Sequence, residues 1–154
     1  MARDDWDPHR LPDLEGRRYL VTGSTAGLGF FSSLQLAAAG GHVIMTGRNP
    51  NRLAAARAAV LRNAPDASVE TLLLDTSNLG SVRAAAATVR GRAGLHGLLL
   101  NAGIVHPPRH RQTTADGHEI VSGTLESIDS SGLGIRTADG STSYVHDYAR
   151  VVFA

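Results

Sequence analysis

The stretch that most constrains this chain is Thr22-Gly23-Ser24-Thr25-Ala26-Gly27-Leu28-Gly29. Tyr19-Leu20-Val21, just before it, reads as the end of a buried strand, and Phe30 to Ala39, just after it, reads as a helix. A glycine-rich turn between a strand and a helix suits a phosphate. Gly23 lets the backbone turn sharply, Gly27 leaves room for a pyrophosphate to approach, and Gly29 lets the helix lie close to the sheet. The first N–H groups of the helix lack intrahelical partners and carry partial positive charge, which favours an anion there. The spacing is T-G-x-x-x-G-x-G, not G-x-G-x-x-G. A P-loop is excluded, because it needs a lysine after the glycines and the sequence contains none. A glycine-rich turn without a ligand is the plain alternative at this point.

The rest of the chain sets that turn in a repeating pattern. Arg17 to Thr22 reads as a first strand, followed by a helix with Leu28, Phe31 and Leu34 or Gln35 near helical spacing, which Gly40-Gly41 stops. His42 to Thr46 is a second strand. Asn49 then reads as an N-cap and Pro50 as the first residue of a helix whose buried stripe is Leu53, Ala56 and Val60. Val69 to Leu74 is a third strand, ending at Asp75. Ser81 to Arg90 is a third helix with Val82, Ala85, Ala86 and Val89 on one face, and Leu95 to Leu100 is a fourth strand ending at Asn101-Ala102-Gly103. Four apolar strands alternating with three helices predict a parallel sheet with helices on both faces, a truncated Rossmann-type α/β fold. In such sheets ligands sit at the carboxyl ends of the strands, and the glycine turn, Arg48, Asp75 and Asn101 all fall there.

Composition narrows the function classes. The chain has 154 residues, 42% hydrophobic and 19% charged, which fits a globular domain with a proper core. A net charge of +1 provides no strong field toward nucleic acid or a membrane. No Asp or Glu lies between Asp75 and Asp116, while Arg83, Arg90, Arg92, Arg109 and Arg111 do; a solvated helix face and loop account for this, with attraction of an anion as the alternative. The absence of cysteine removes disulfides and thiolate chemistry, and fits a cytoplasmic protein. His106, His110 and His118 share a proline-containing loop, but no carboxylate or cysteine pattern supports a zinc site, so no metal is expected. No nucleophile-elbow motif appears.

Taken together, the T-G-x-x-x-G-x-G turn, Asp75 after the third strand and Asn101-Ala102-Gly103 after the fourth resemble the short-chain dehydrogenase/reductase family. The segment Asn101-Ala-Gly-Ile-Val-His-Pro-Pro-Arg109, followed by Gln112-Thr-Thr-Ala-Asp-Gly-His-Glu119, resembles its retinol-dehydrogenase-like branch. The likeness covers about Gly16 to Glu119. It implies a nicotinamide dinucleotide held by Gly23, Ser24, Thr25, Gly27, Leu28 and Gly29 at the pyrophosphate and nearby ribose, by Asp75 and Thr76 at the adenine, and by Asn101, Ala102 and Gly103 along the cleft. Charge then discriminates between cofactors. A carboxylate after the second strand would select NAD through the ribose 2′-OH, whereas Arg48 stands there and suits a 2′-phosphate, which favours NADP over NAD.

The family's catalytic residues are a serine and a Tyr-x-x-x-Lys pair beyond the fourth strand. Without lysine that pair cannot form here, and the residues four places after Tyr19, Tyr144 and Tyr148 are Gly23, Tyr148 and Val152. A tyrosine with no cationic neighbour titrates near ~10 and is a poor base at neutral pH. The expected organisation is therefore a lead-in over 1–15, an NAD(P)-binding Rossmann-type domain over 16–119 and a β-rich tail over 120–154. The tail reads as an antiparallel meander, with turns at Asp129 to Gly132 and at Asp139-Gly140 and a last strand over Arg150 to Phe153. The fourth strand would be an exposed edge, which tail strands or a second copy are expected to cover. Three functions stay open: a cofactor-binding oxidoreductase relative without turnover, a non-catalytic nucleotide-binding or assembly module, and a truncated gene product.

Overall fold

The structure, a computed structural model, describes residues 11–91, 94–103, 113–114 and 116–117, together with the backbone of 124–129, 132–136 and 142–145. The described elements fall in two compact units. The larger comprises residues up to Thr76 and Gly80–Ala102; the smaller comprises Ser77–Leu79 and the residues from Gly103 onward.

In the larger unit the order is β1 (Arg18–Val21), α1 (Gly27–Ala38), β2 (His42–Gly47), α2 (Pro50–Asn63), β3 (Val69–Leu73), α3 (Leu79–Arg90, whose first residue is the last of the smaller unit's short segment) and β4 (Gly97–Leu99). The four strands form one sheet in the order β3-β2-β1-β4, and every neighbouring pair is parallel. This is the parallel, helix-flanked, Rossmann-type sheet that the alternating pattern predicts. Two successive steps move the chain one way across the sheet, from β1 to β2 to β3. The step through α3 carries it back past β1 to β4. With right-handed crossovers, that reversal puts α1 and α2 on one face and α3 on the other.

Local chemistry places the helices. The Asn49 side chain accepts a hydrogen bond from the Arg52 N–H (3.0 Å), Pro50 opens α2, and Leu53, Ala56 and Val60 are its buried residues, as the spacing predicts. At the end of α1 the Gly40 N–H donates to the Ala37 carbonyl and the Gly41 N–H to the Leu36 carbonyl, the paired bonds of a Schellman stop. The core between this helical layer and the sheet gathers Val21, Val43, Met45 and Val69 from the strands and Ala37, Leu53, Ala56 and Val60 from the helices. Leu14, in the segment expected to be a loose lead-in, is buried, and its N–H donates to the Ala39 carbonyl (2.8 Å).

Two helices differ from their expected faces. The buried residues of α1 are Gly29, Ser33 and Ala37, while Leu28 and Phe31 are exposed. The helix begins at Gly27 rather than Phe30, so its contact with the sheet starts at Gly29 and recurs every fourth residue. α3 buries Ala85 and half-buries Val89, but Val82 and Ala86 are exposed.

The smaller unit contains the antiparallel meander β5 (Thr124–Asp129), β6 (Gly132–Arg136) and β7 (Thr142–Val145), in that spatial order. The register shifts between Leu125 and Ser127, which marks a bulge. The expected last strand over Arg150 to Phe153 lies outside the described residues. Among the described residues no helix is long and apolar enough to cross a membrane.

Candidate functional site

The glycine turn leaves the carboxyl end of β1 and is tied to both neighbouring strands. On the β4 side, Thr22 donates its N–H (2.9 Å) and its hydroxyl (3.2 Å) to the Leu99 carbonyl. The same hydroxyl accepts from the N–H groups of Asn101 and Ala102, each at 2.9 Å. The Asn101 amide nitrogen donates back to the carbonyls of Thr22 (3.0 Å) and Gly23 (3.3 Å). On the β2 side, Ser24 donates both its N–H and its hydroxyl to the Thr46 carbonyl, each at 3.0 Å, and the Thr46 hydroxyl donates to the Val21 carbonyl (3.1 Å). Every buried side-chain oxygen and nitrogen among the described residues has a partner.

Two glycines are required by this packing. Gly23 has φ +66°, and a side chain there would bring a Cβ within 2.8 Å of the Ala102 Cα. A Cβ on Gly29 would stand 2.5 Å from both the Asn101 amide nitrogen and the Gly23 carbonyl oxygen, so only glycine lets α1 start this close to the strand ends. Gly27, with φ +58°, has open space where a side chain would project.

The turn delivers α1 with its first N–H groups free of side-chain caps. Ala26, the N-cap, is extended and has no capping side chain, and no acidic residue occupies the first turn. The N-terminus of α1 thus presents donors and a positive dipole end beside an uncluttered glycine, which is a fit for a pyrophosphate. Arg48 follows β2 directly and is exposed. At the end of β3, the Leu74 N–H donates to the Gly47 carbonyl (3.0 Å), and the Asp75 N–H donates to the Ser81 hydroxyl (2.9 Å). The Asp75 side chain is half-buried, and Thr76 is exposed beside it.

The structure therefore brings Gly23, Gly29, Asn101 and Ala102 into mutual contact, and Thr25 against Gly47 beside Arg48. Gly103, next along the chain, is exposed. Leu28 is 79% exposed and available to a ligand; Ser24 is fully buried and turns its hydroxyl inward. Thr22, the first residue of the motif, and Thr46 are given no role by the motif, yet their side chains tie the turn to its neighbouring strands. Their signal was a hydroxyl residue at the end of each of two adjacent apolar strands. His106, His110 and His118 lie outside the described residues, and among the described residues no group of three acids or histidines could hold a metal.

A family model described as short chain dehydrogenase matches residues 17–127. The chain belongs to the short-chain dehydrogenase family. It is 41% identical over 102 residues to the short-chain dehydrogenase/reductase drtF of Aspergillus calidoustus, covering 66% of this chain and 32% of that protein. The chain spans about a third of the length of the curated relatives it matches. Among solved structures, it is similar to a short-chain dehydrogenase from Sphingobium yanoikuyae in complex with NADPH. That similarity has 27% identity and a TM-score of 0.55, and covers 66% of this chain and 39% of that one. A metagenomic short-chain oxidoreductase in complex with NADP has 26% identity and a TM-score of 0.55, with 60% of this chain and 42% of that one covered. The fold is thus shared with proteins solved in complex with NADP and NADPH.

Proposed function

We propose that this chain binds NADP(H) at the β1–α1 turn and does not itself turn the cofactor over. The observation that supports it best is the uncapped N-terminus of α1, set against a glycine turn that is hydrogen-bonded to the ends of both β2 and β4. Gly23, Thr25, Gly27, Leu28 and Gly29 would line the pyrophosphate and nearby ribose, with Ser24 in the same turn. Asp75 and Thr76 would meet the adenine, and Asn101, Ala102 and Gly103 would border the cleft. Arg48 would take the 2′-phosphate, because a guanidinium fork matches phosphate oxygens bidentately and no residue of the first turn of α1 opposes it with negative charge. The NADP and NADPH named for two similar solved structures support the same choice.

When bound, the nicotinamide accepts or delivers a hydride, the family's exchange between a carbonyl and an alcohol. The sequence has no lysine to lower the pKa of a tyrosine, so binding without reduction is the activity expected of these 154 residues. The Asn101–Glu119 segment supports a place in the retinol-dehydrogenase-like branch. A cytoplasmic location agrees with the absence of cysteine. Self-association through β4 belongs to the same reading: among the described residues β4 pairs only with β1, and Leu98 and Leu100 are 53% and 56% exposed. Nucleic acid is not a partner in this reading, given the net charge of +1.

Calorimetric titration with NADPH and NADH tests the proposal. Saturable binding, tighter for NADPH and weakened about 10-fold or more in Arg48→Ala, is the expected result, since charge-assisted bidentate pairs are the strong class of hydrogen bond. A well-folded chain that binds neither cofactor would leave the turn as scaffold and favour an assembly module.

A further inference from the structure

Ser24 stands out because its surroundings do not suit a ligand contact. It is 0% exposed, and its hydroxyl is already committed to the Thr46 carbonyl. The turn is held symmetrically. Thr22 places its N–H and hydroxyl on the last carbonyl of β4, and Ser24 places its N–H and hydroxyl on a carbonyl near the end of β2. The two residues are two apart, so the turn is clamped once to each flanking strand.

The β2 clamp has a consequence that the β4 clamp lacks. Thr46 is two peptide units before Arg48. Between them lies Gly47, whose Cβ, were there one, would be 2.7 Å from the Thr25 Cγ2. The backbone leading to Arg48 is therefore held to Ser24 by a carbonyl that accepts two hydrogen bonds, and it runs so near Thr25 that a side chain at Gly47 would not fit between them. Thr46 is itself fixed to Val21 through its hydroxyl. A shift of the glycine turn must move the base of Arg48, and a shift of that base must move the turn.

We propose that Ser24 is a positioning residue for cofactor selectivity: its hydroxyl couples the pyrophosphate turn to Arg48 through the Thr46 carbonyl, so that both grip one dinucleotide carrying a 2′-phosphate. The inference rests on the reading above that Arg48 meets that phosphate. It reassigns Ser24 from a cofactor contact to a link between two contacts. Ser24→Ala removes one of the two bonds to the Thr46 carbonyl and keeps the N–H bond, so neither the turn nor the strand end is left unpaired. Gly47→Ala disturbs the same link from the β2 side by crowding Thr25, without touching Arg48 or Ser24 chemically.

The test is a set of titrations of the 154-residue chain with NADPH and NADH, each variant first checked for folding by circular dichroism. The expected result is an NADPH affinity about 5-fold weaker in Ser24→Ala and in Gly47→Ala, with NADH changed by less than about 2-fold, a coupling typical of groups in one hydrogen-bond network. In an Arg48→Ala background, Ser24→Ala should then have no further effect on NADPH. Equal losses for both cofactors would make Ser24 merely structural and overturn the inference while leaving the cofactor site intact. The same loss with and without Arg48, or no loss in either variant, would overturn it too. If the unaltered chain is folded and binds neither cofactor, or binds both without dependence on Arg48, the reading of the site itself fails and the inference falls with it.

Discussion

The two faces of the parallel sheet are built from the same strands and end up differently covered. On the face under α1 and α2, Val21, Val43 and Met45 are 0% exposed, and the helices bring Ala37, Leu53, Ala56 and Val60 against them. Residues alternate along a strand, so Leu20 and Ile44 point to the opposite face. In register, Ile44, Leu20 and Leu98 form one row across β2, β1 and β4, with exposures of 1%, 6% and 53%. Burial fails toward β4, and Leu100 beyond it is as open. α3, the helix on that side, buries only Ala85. An amphipathic pattern states which residues need cover; it does not supply the cover. The first face is completed by elements next to each other in sequence, whereas the second leaves Leu98 and Leu100 at its β4 end more than half exposed.

The largest effect should separate these faces directly. Met45→Ala removes a fully buried side chain from the well-covered face and is expected to cost about 2–5 kcal/mol, from lost transfer energy plus a cavity. Leu98→Ala, at a site already half in water, should stay within about 1 kcal/mol. Urea unfolding of the two variants measures both. Equal losses would mean that Leu98 is covered in solution and would break the contrast.

The same contrast explains what could be read beforehand. Asn49-Pro50 and the Leu53, Ala56, Val60 spacing determined α2 because cap, proline and stripe agree locally. The Thr22–Gly29 stretch determined the tight turn between β1 and α1, since only a short list of residues allows φ +66° at Gly23 and the close approach at Gly29. The face of α1 was not legible. The residues fully buried are the small series Gly29, Ser33 and Ala37, set by the distance at which the turn puts the helix down, while Phe30, Leu34 and Leu36 pack against the core only in part. Helical spacing cannot weigh a glycine against a phenylalanine. The direction of the Ser24 hydroxyl was equally hidden, because a serine in a phosphate-type turn has the same letters whether it faces a ligand or the Thr46 carbonyl.

A second prediction moves from the core to the clamps. Thr22→Val keeps the shape of the side chain but removes the hydroxyl that accepts from the Asn101 and Ala102 N–H groups and donates to Leu99. The Leu99 carbonyl retains the Thr22 N–H, and Asn101 and Ala102 are exposed enough for water to serve their N–H groups in part. The expected loss is about 1–2 kcal/mol. Hydrogen exchange should localise it to the residues from Leu99 to Ala102 and leave Val43 and Met45 protected, because the covered face does not depend on this clamp. Loss of protection throughout the sheet would instead make the β4 clamp part of the global core.

The smallest change tests whether the turn is shaped for a ligand or only for the fold. Gly27 has φ +58°, and open space surrounds the position of a side chain. Gly27→Ala therefore meets no clash and carries only the cost of a left-handed alanine, about 1 kcal/mol. If the open space has no occupant, that modest loss of stability is the entire effect. If a pyrophosphate lies against this backbone, the added methyl occupies its path, and NADPH binding falls far more than stability does. Measuring both in one variant distinguishes a turn kept for packing, as Gly23 and Gly29 are, from a turn kept open for a phosphate. A parallel fall in both quantities would assign Gly27 to the scaffold and place the ligand's contacts away from this residue, nearer Arg48.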